Sequence, residues 1–221
     1  MGAGLYRAPM TAIPSPISDV DEQWPVVRSA DLHRDDWIMA LRADWVDRPD
    51  SPDEEPFRRV VLEHPGAVIV LAVDEDERDG ARVLCLWQYR HAVGRRFLEL
   101  PAGLCDVEGE DPLVGAQREL REETGYEADE WEHLTSAYTS PGILSEVVHI
   151  YLARGLREVG RGDFVPHHEE ADMQVLWVPA DELVDGVLAG RVTDAPVIMA
   201  TLIARGRGLL GGASSERSVA R

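Results

Sequence analysis

Three features of the chain predict a mixed α+β fold. Apolar, β-branched runs precede one strongly punctuated helix, further runs of the same kind follow it, and two more helices close the sequence. That order is not the regular alternation that builds a parallel βαβ array. With 221 residues and 44% hydrophobic content, the chain can bury a full core, which fits one compact domain carrying a small subdomain.

Residues 1–30, rich in Pro, Ser and Asp without periodicity, read as a poorly ordered tail. Residues 31–64 read as N-terminal β-strands: 37–46 alternates loosely, 47–56 is a Pro- and acid-rich loop, and 57–64 resumes an extended pattern. Residues 65–205 form the main body. Within it, 67–73 and 83–89 are apolar runs on either side of the polar turn 74–80, the pattern of a hairpin with a buried face. A short strand over 97–100 leads into Pro101, and strands over 134–138, 147–153 and 175–178 follow the first helix. The closing helices are 179–189, stopped by Gly190, and 194–204, opened by Asp194 with Pro196 in its first turn. Composition then turns to Gly, Ser and Arg, so 206–221 reads as a second poorly ordered tail.

The formal charge of -19 at pH 7 sets up a field that repels phosphate backbones and anionic lipid heads, which argues against nucleic acid and membrane as partners. An anionic small substrate would need local cations, and metal ions held by carboxylates supply them. Cys85 and Cys105 have no CxxC spacing and read as free thiols in a reducing compartment. No stretch approaches the roughly 20 apolar residues of a membrane span, and no charged-then-apolar leader opens the chain, so a cytoplasmic location is expected.

The first helix carries the chemistry. Asp111 is a good N-cap, Pro112 suits the first helical position and Gly125 stands where a left-handed cap would close, which predicts a helix over 112–124 in a defined register. Leu113, Ala116, Leu120 and Thr124 then share a stripe toward the core, while Gly115, Glu119, Glu122 and Glu123 gather on the other side. Like charges at this spacing cost a helix about 0.2–0.5 kcal/mol per pair. Either water screens them on an ordinary acidic face, with Arg118 pairing to Glu122, or a cation makes use of them. Periodicity leaves both readings open.

Gly103, Glu110 and the run Arg118-Glu119-Leu120-Arg121-Glu122-Glu123-Thr124-Gly125-Tyr126 resemble the Nudix box. From Arg59 to Trp177 the chain is similar to actinobacterial ADP-ribose pyrophosphatases of that superfamily. Shared segments are Gln88-Tyr89-Arg90-His91, Leu100-Pro101-Ala102-Gly103-Leu104, Pro141-Gly142 and His167-His168-Glu169-Glu170-Ala171-Asp172-Met173. The resemblance implies the Nudix fold, a mixed β-sheet sandwiched between α-helices, with a small N-terminal β subdomain. In one respect the chain departs: the box usually has one residue fewer than the run 104–109 before its glutamate. The extra residue falls in the loop before the N-cap, so it bears on Glu110 and not on the helix.

The same resemblance implies the site. Glu119 and Glu123, with the Ala102 carbonyl and with Glu122 close by, would hold Mg2+, or Mn2+ as the alternative, an oxygen-only ligation that suits hard cations. Such ions bridge a pyrophosphate, neutralise charge developing on phosphorus and lower the pKa of a bound water. Arg118 would orient Glu119 or Glu122 by a charge-assisted hydrogen bond. The general base would come from the loop 167–170, with Glu170 the first choice and Glu169 the second; His167 and His168 read as loop residues, not as a zinc pair. Arg59 and Arg90 match arginines on substrate phosphate or adenine, although Val60 stands where relatives have an acid. Pro141, placed as in ADP-ribose-specific members, joins Gly142 and Glu146 on the substrate side, and Pro-Gly is also an ordinary turn. Related enzymes are homodimers whose N-terminal strands help build the partner's site. Trp37, Ile38, Trp45 and Phe57 suit either that role or a core.

The expected reaction is metal-dependent hydrolysis of ADP-ribose to AMP and ribose 5-phosphate by water attack at phosphorus. The alternatives are another nucleotide sugar or dinucleotide, such as GDP-mannose or NADH, or a non-catalytic ADP-ribose sensor. The intact box acids and the lack of a basic winged-helix segment weigh against the sensor.

Overall fold

The computed structural model describes residues 16–210 apart from 37–38, 52, 77–79, 163 and 166–170. Strands β1 (Val26–Arg34), β2 (Ala40–Val46) and β3 (Phe57–Glu63) form an antiparallel sheet in that order. β1 corrects the expected N-terminal tail, since it begins inside 1–30. All nine of its residues are exposed, so no apolar alternation marks it in the sequence. Backbone pairing to β2 holds it, helped by charge: Arg34 reaches Asp31 at 2.9 Å and Glu63 at 2.6 Å, and the Arg28 guanidinium lies 3.5 Å over the Trp45 ring. Trp37 and Ile38, the expected start of the first of the two N-terminal strands, lie outside the described residues.

The main sheet is built from β4 (Ala67–Asp76), β5 (Gly80–Arg90), β6 (Arg95–Glu99), β7 (Ala102–Leu104), β8 (Tyr126–Tyr138), β9 (Val147–Glu158) and β10 (Gln174–Pro179). Its order is β10-β5-β4-β9-β8, with β6 added on β5 and β7 on β4. Only the β4–β9 pairing is parallel among these strands. The expected hairpin is β4–β5. β8 and β9 are longer than their apolar segments, and the three-residue β7 has no sequence signal of its own.

Among the described residues three α-helices cover the sheet: α1 (Pro112–Thr124), α2 (Ala180–Leu188) and α3 (Ala195–Gly206). Along β4, Ile69, Leu71 and Val73 pack with Leu183, Val184, Val197 and Ala200 of α2 and α3. The alternate residues Val68, Val70 and Ala72 pack with Ala116 and Leu120 of α1. Successive side chains of a strand point to opposite faces, and both faces here are covered, which is why β4 is apolar without alternation. Fully burying each such aliphatic side chain contributes about 1.5–3 kcal/mol. The sequence-predicted sandwich of a mixed sheet between helices is therefore the observed fold. Pro179 caps α2 rather than beginning it.

The C-terminal boundary also moves. Leu210 is buried, Arg154 donates to Leu209 O at 2.5 Å and Arg207 to Leu134 O at 2.9 Å, so packing continues five residues past 205. Among the described residues no helix is long and apolar enough to cross a membrane.

Candidate active site

Helix α1 is punctuated as expected: Asp111 accepts from Leu113 N–H, and Gly125 at φ 80° donates its N–H to Arg121 O. Its acidic side, however, does not face open water. Gly115 and Glu123 are buried along with Ala116, Leu120 and Thr124, because β7 lies against the helix there. Glu123, 6% exposed, accepts the Ala102 N–H at 2.8 Å. A Cβ on Gly103 would lie 2.0 Å from Cδ of Glu119, so only a glycine lets Glu119 cross the β7 backbone. Gly115 makes similar room for Glu110, whose Oε2 would stand 3.0 Å from an added Cβ.

The extra residue before Glu110 is absorbed in a turn. Gly109 adopts φ 76°, Glu110 N–H donates to Val107 O at 3.1 Å, and the Glu110 carboxylate arrives 3.4 Å from Arg118. Arg118 is the hub of the cluster: Nη1 donates to Glu119 at 2.6 Å and to Glu122 at 3.2 Å, while Nη2 faces Glu110. Its Nε is buried without a hydrogen-bond partner among the described residues. Burial, with Glu122 and Asp106 adding repulsion against the opposing pull of Arg118, pushes the Glu119 carboxyl up to about 7.

This donor set fits a hard divalent cation. It is all oxygen, it is crowded with like charge, and Gly103 lets the Glu119 carboxylate lie directly against β7, the strand that carries the Ala102 carbonyl. Among the described residues no three acidic, His or Cys side chains converge on one point. Arg118 engages Glu119 and Glu122, and the Ala102 N–H engages Glu123.

These carboxylates line a cavity of about 910 Å³ with Gly103, Ala102, Arg90, Phe97, Met39 and Glu146. Among the described residues, seven acids (Glu99, Asp106, Glu119, Glu122, Glu123, Glu146, Asp194) share this wall with two arginines, Arg90 and Arg118, a formal balance of -5. A groove of about 830 Å³ on the other flank of α1 shares Arg118 and Glu122 but contains neither Glu119 nor Glu123. The first cavity is therefore the candidate site.

The structure thus brings together Ala102, Arg118, Glu119, Glu122, Glu123, Arg90 and Glu146. Arg90 is clamped by Glu99, which accepts from its Nε at 2.9 Å and from Nη2 at 2.6 Å. Pro141 and Gly142 form an exposed turn that does not line the cavity. Arg59 is not in the cavity wall either; its guanidinium lies 4.4 Å over the Phe57 ring. His167, His168, Glu169 and Glu170 lie outside the described residues. Sequence reasoning missed Glu99, Asp194 and His64. Glu99 was hidden among apolar neighbours in its strand, and Asp194 was visible only as a helix cap.

A NUDIX domain model matches residues 63–201. The chain belongs to the Nudix family and is a hydrolase acting on pyrophosphate bonds, of a family that generally needs divalent metal ions. Its similarities narrow the class. It is 46% identical over 165 residues to an ADP-ribose pyrophosphatase of Mycobacterium tuberculosis, covering 75% of each chain. It is also 35% identical to the methanol dehydrogenase activator of Bacillus methanolicus, over 70% of this chain and 80% of that one. The crystal structure of an ADP compounds hydrolase superposes with a TM-score of 0.65 at 19% identity, over 87% of this chain and 100% of the other, a likeness of fold.

Proposed function

We propose that this protein is an ADP-ribose pyrophosphatase that hydrolyses ADP-ribose to AMP and ribose 5-phosphate, with water attacking phosphorus. The observation that carries this reading is the charge of the cavity: a diphosphate cannot approach a formal -5 unless cations come with it. Glu119, Glu122, Glu123 and the Ala102 carbonyl would hold Mg2+, with Mn2+ as the second choice. The bound ion would supply charge neutralisation at phosphorus and a more acidic water. Arg118, in the same wall, restrains Glu119 and Glu122.

Arg90, fixed in the wall by Glu99, suits a phosphate oxygen. Glu146 is an acceptor only and suits hydroxyl donors of the substrate, with the Pro141-Gly142 turn shaping its segment. Glu170 is the proposed general base, with Glu169 the second choice. Arg59 is proposed to serve the cavity of a second copy in a homodimer joined through the N-terminal sheet, since it does not reach its own. The free thiols fit a cytoplasmic setting, and burial pushes the Cys85 thiol up to about 12.

The test is a substrate panel with Mg2+ in oxygen-18 water. Rapid conversion of ADP-ribose with the label in one product phosphate is expected. Negligible ADP-ribose cleavage beside fast cleavage of GDP-mannose or NADH would defeat the reading.

A further inference from the structure

We propose that His64 is a positioning residue for substrate binding, holding the Glu146 carboxylate in the cavity wall through its Nε2–H. The proposal rests on the reading of Glu146 as a substrate contact. His64 follows β3, and its side chain is only 8% exposed; that of Glu146 is 16% exposed. The Gly66 N–H donates to His64 Nδ1 at 3.1 Å. A ring nitrogen that accepts a hydrogen bond carries no proton, so the neutral ring bears its proton on Nε2. Nε2 faces Glu146 Oε1 at 3.4 Å, and the Thr139 hydroxyl donates to Oε2. Both oxygens of the carboxylate are thereby addressed, and His64 stands beside Glu146 in the cavity wall.

The tautomer is built into the chain trace. Gly66 has φ 97°, and a Cβ on it would stand 3.1 Å from Val147 O, so the turn that delivers its N–H to the ring requires glycine. The same junction is stitched by Leu62 N–H to Ile143 O at 2.8 Å, Ser145 N–H to Leu62 O at 3.1 Å and His64 N–H to Ser145 Oγ at 3.0 Å. His64 thus approaches Glu146 along a rigid seam. At 3.4 Å the contact is longer than a finished hydrogen bond, as is common before a ligand draws such groups together. In a cavity so rich in acids, a carboxylate without these donors is repelled toward solvent.

The test compares His64→Phe, His64→Gln, Glu146→Gln and the His64→Phe/Glu146→Gln pair with ADP-ribose and Mg2+. His64→Phe is expected to raise KM about tenfold with kcat changed less than about twofold. His64→Gln, whose amide can both accept from Gly66 and donate to Glu146, recovers most of the loss. The double variant exceeds Glu146→Gln by less than about twofold, because the residues act as a unit. A folded His64→Phe enzyme with wild-type KM, or effects that multiply in the double variant, overturns the proposal. If Glu146→Gln itself leaves KM unchanged, the substrate-contact reading fails and the proposal falls with it; if Glu146→Gln raises KM while His64→Phe does not, the proposal alone fails. Should His64→Phe not fold, His64→Gln and the 15N spectrum of the wild-type ring decide, and a proton found on Nδ1 overturns the proposal without any substrate.

Discussion

Gly103 shows how much one missing carbon decides. Its backbone is not in a left-handed conformation, so conformational freedom is not its purpose; what matters is the space that Glu119 occupies. Gly103→Ala is expected to push the Glu119 carboxylate off β7 and lower kcat/KM about 100-fold or more, because small misplacements at a reacting centre carry costs of that size. Its Tm should change by only a few degrees, since the displaced atoms belong to a flexible side chain. Wild-type activity in a folded alanine variant would mean that Glu119 does not need that path. Glu123→Gln is a cleaner probe of ligation. Glutamine keeps an oxygen for the Ala102 N–H at the observed 2.8 Å, so the fold is expected to survive while kcat drops by about three orders of magnitude. Steady-state kinetics and a melting curve decide both variants.

At the scale of elements, α3 carries a cap under tension. Asp194 accepts from Val197 N–H at 3.0 Å, yet burial, with Glu99 nearby, raises its carboxyl from 3.8 to about 6. The folded state therefore binds this proton more tightly than the unfolded chain does. The associated stability is fully present below about pH 4 and is lost as pH rises through about 6, an effect of about 1–3 kcal/mol. Asparagine caps as well as aspartate and carries no charge. Asp194→Asn is thus expected to be more stable than the wild type at pH 8, with the gap closing as pH falls toward 4. Chemical denaturation across that range checks it, and a constant gap would remove Asp194 from the account.

The same scale shows what the sequence made legible. α1 could be read to the residue because its cap, its proline, its closing glycine and its apolar stripe are all local signals. β1 could not, because a fully exposed strand needs no alternation, and β7 is a strand only by virtue of lying beside β4. The box acids were visible in the sequence, but their inward tilt was not. Glu123 is buried because β7 meets that side of α1, a contact that no helical period encodes. His64 and Glu146 come from the two ends of the β3-to-β9 segment, and the seam at Leu62 and Ser145, continued by the parallel β4–β9 pairing from Ala67 and Val148, joins them.

For the whole molecule, the unanswered surface is at the N-terminus. Ile17, Val20, Trp24, Val26, Val27 and Leu32 are all exposed and lie close together in the sequence of the N-terminal segment. Apolar side chains gathered in one segment mark an interaction site more often than scattered ones do, and burying each fully would contribute about 1.5–3 kcal/mol. The proposed homodimer covers them and carries Arg59 toward a second cavity. The protein is then expected to sediment at twice its 24.5 kDa chain mass. Val27→Asp/Leu32→Asp would place charge on β1 without touching the main core, so it should yield a folded monomer with a raised KM. Arg59→Ala should raise KM in a protein that remains dimeric. Analytical ultracentrifugation at micromolar concentration, run beside the kinetics, separates the cases: a fully active wild-type monomer would rule out both the dimer and the role of Arg59 across it.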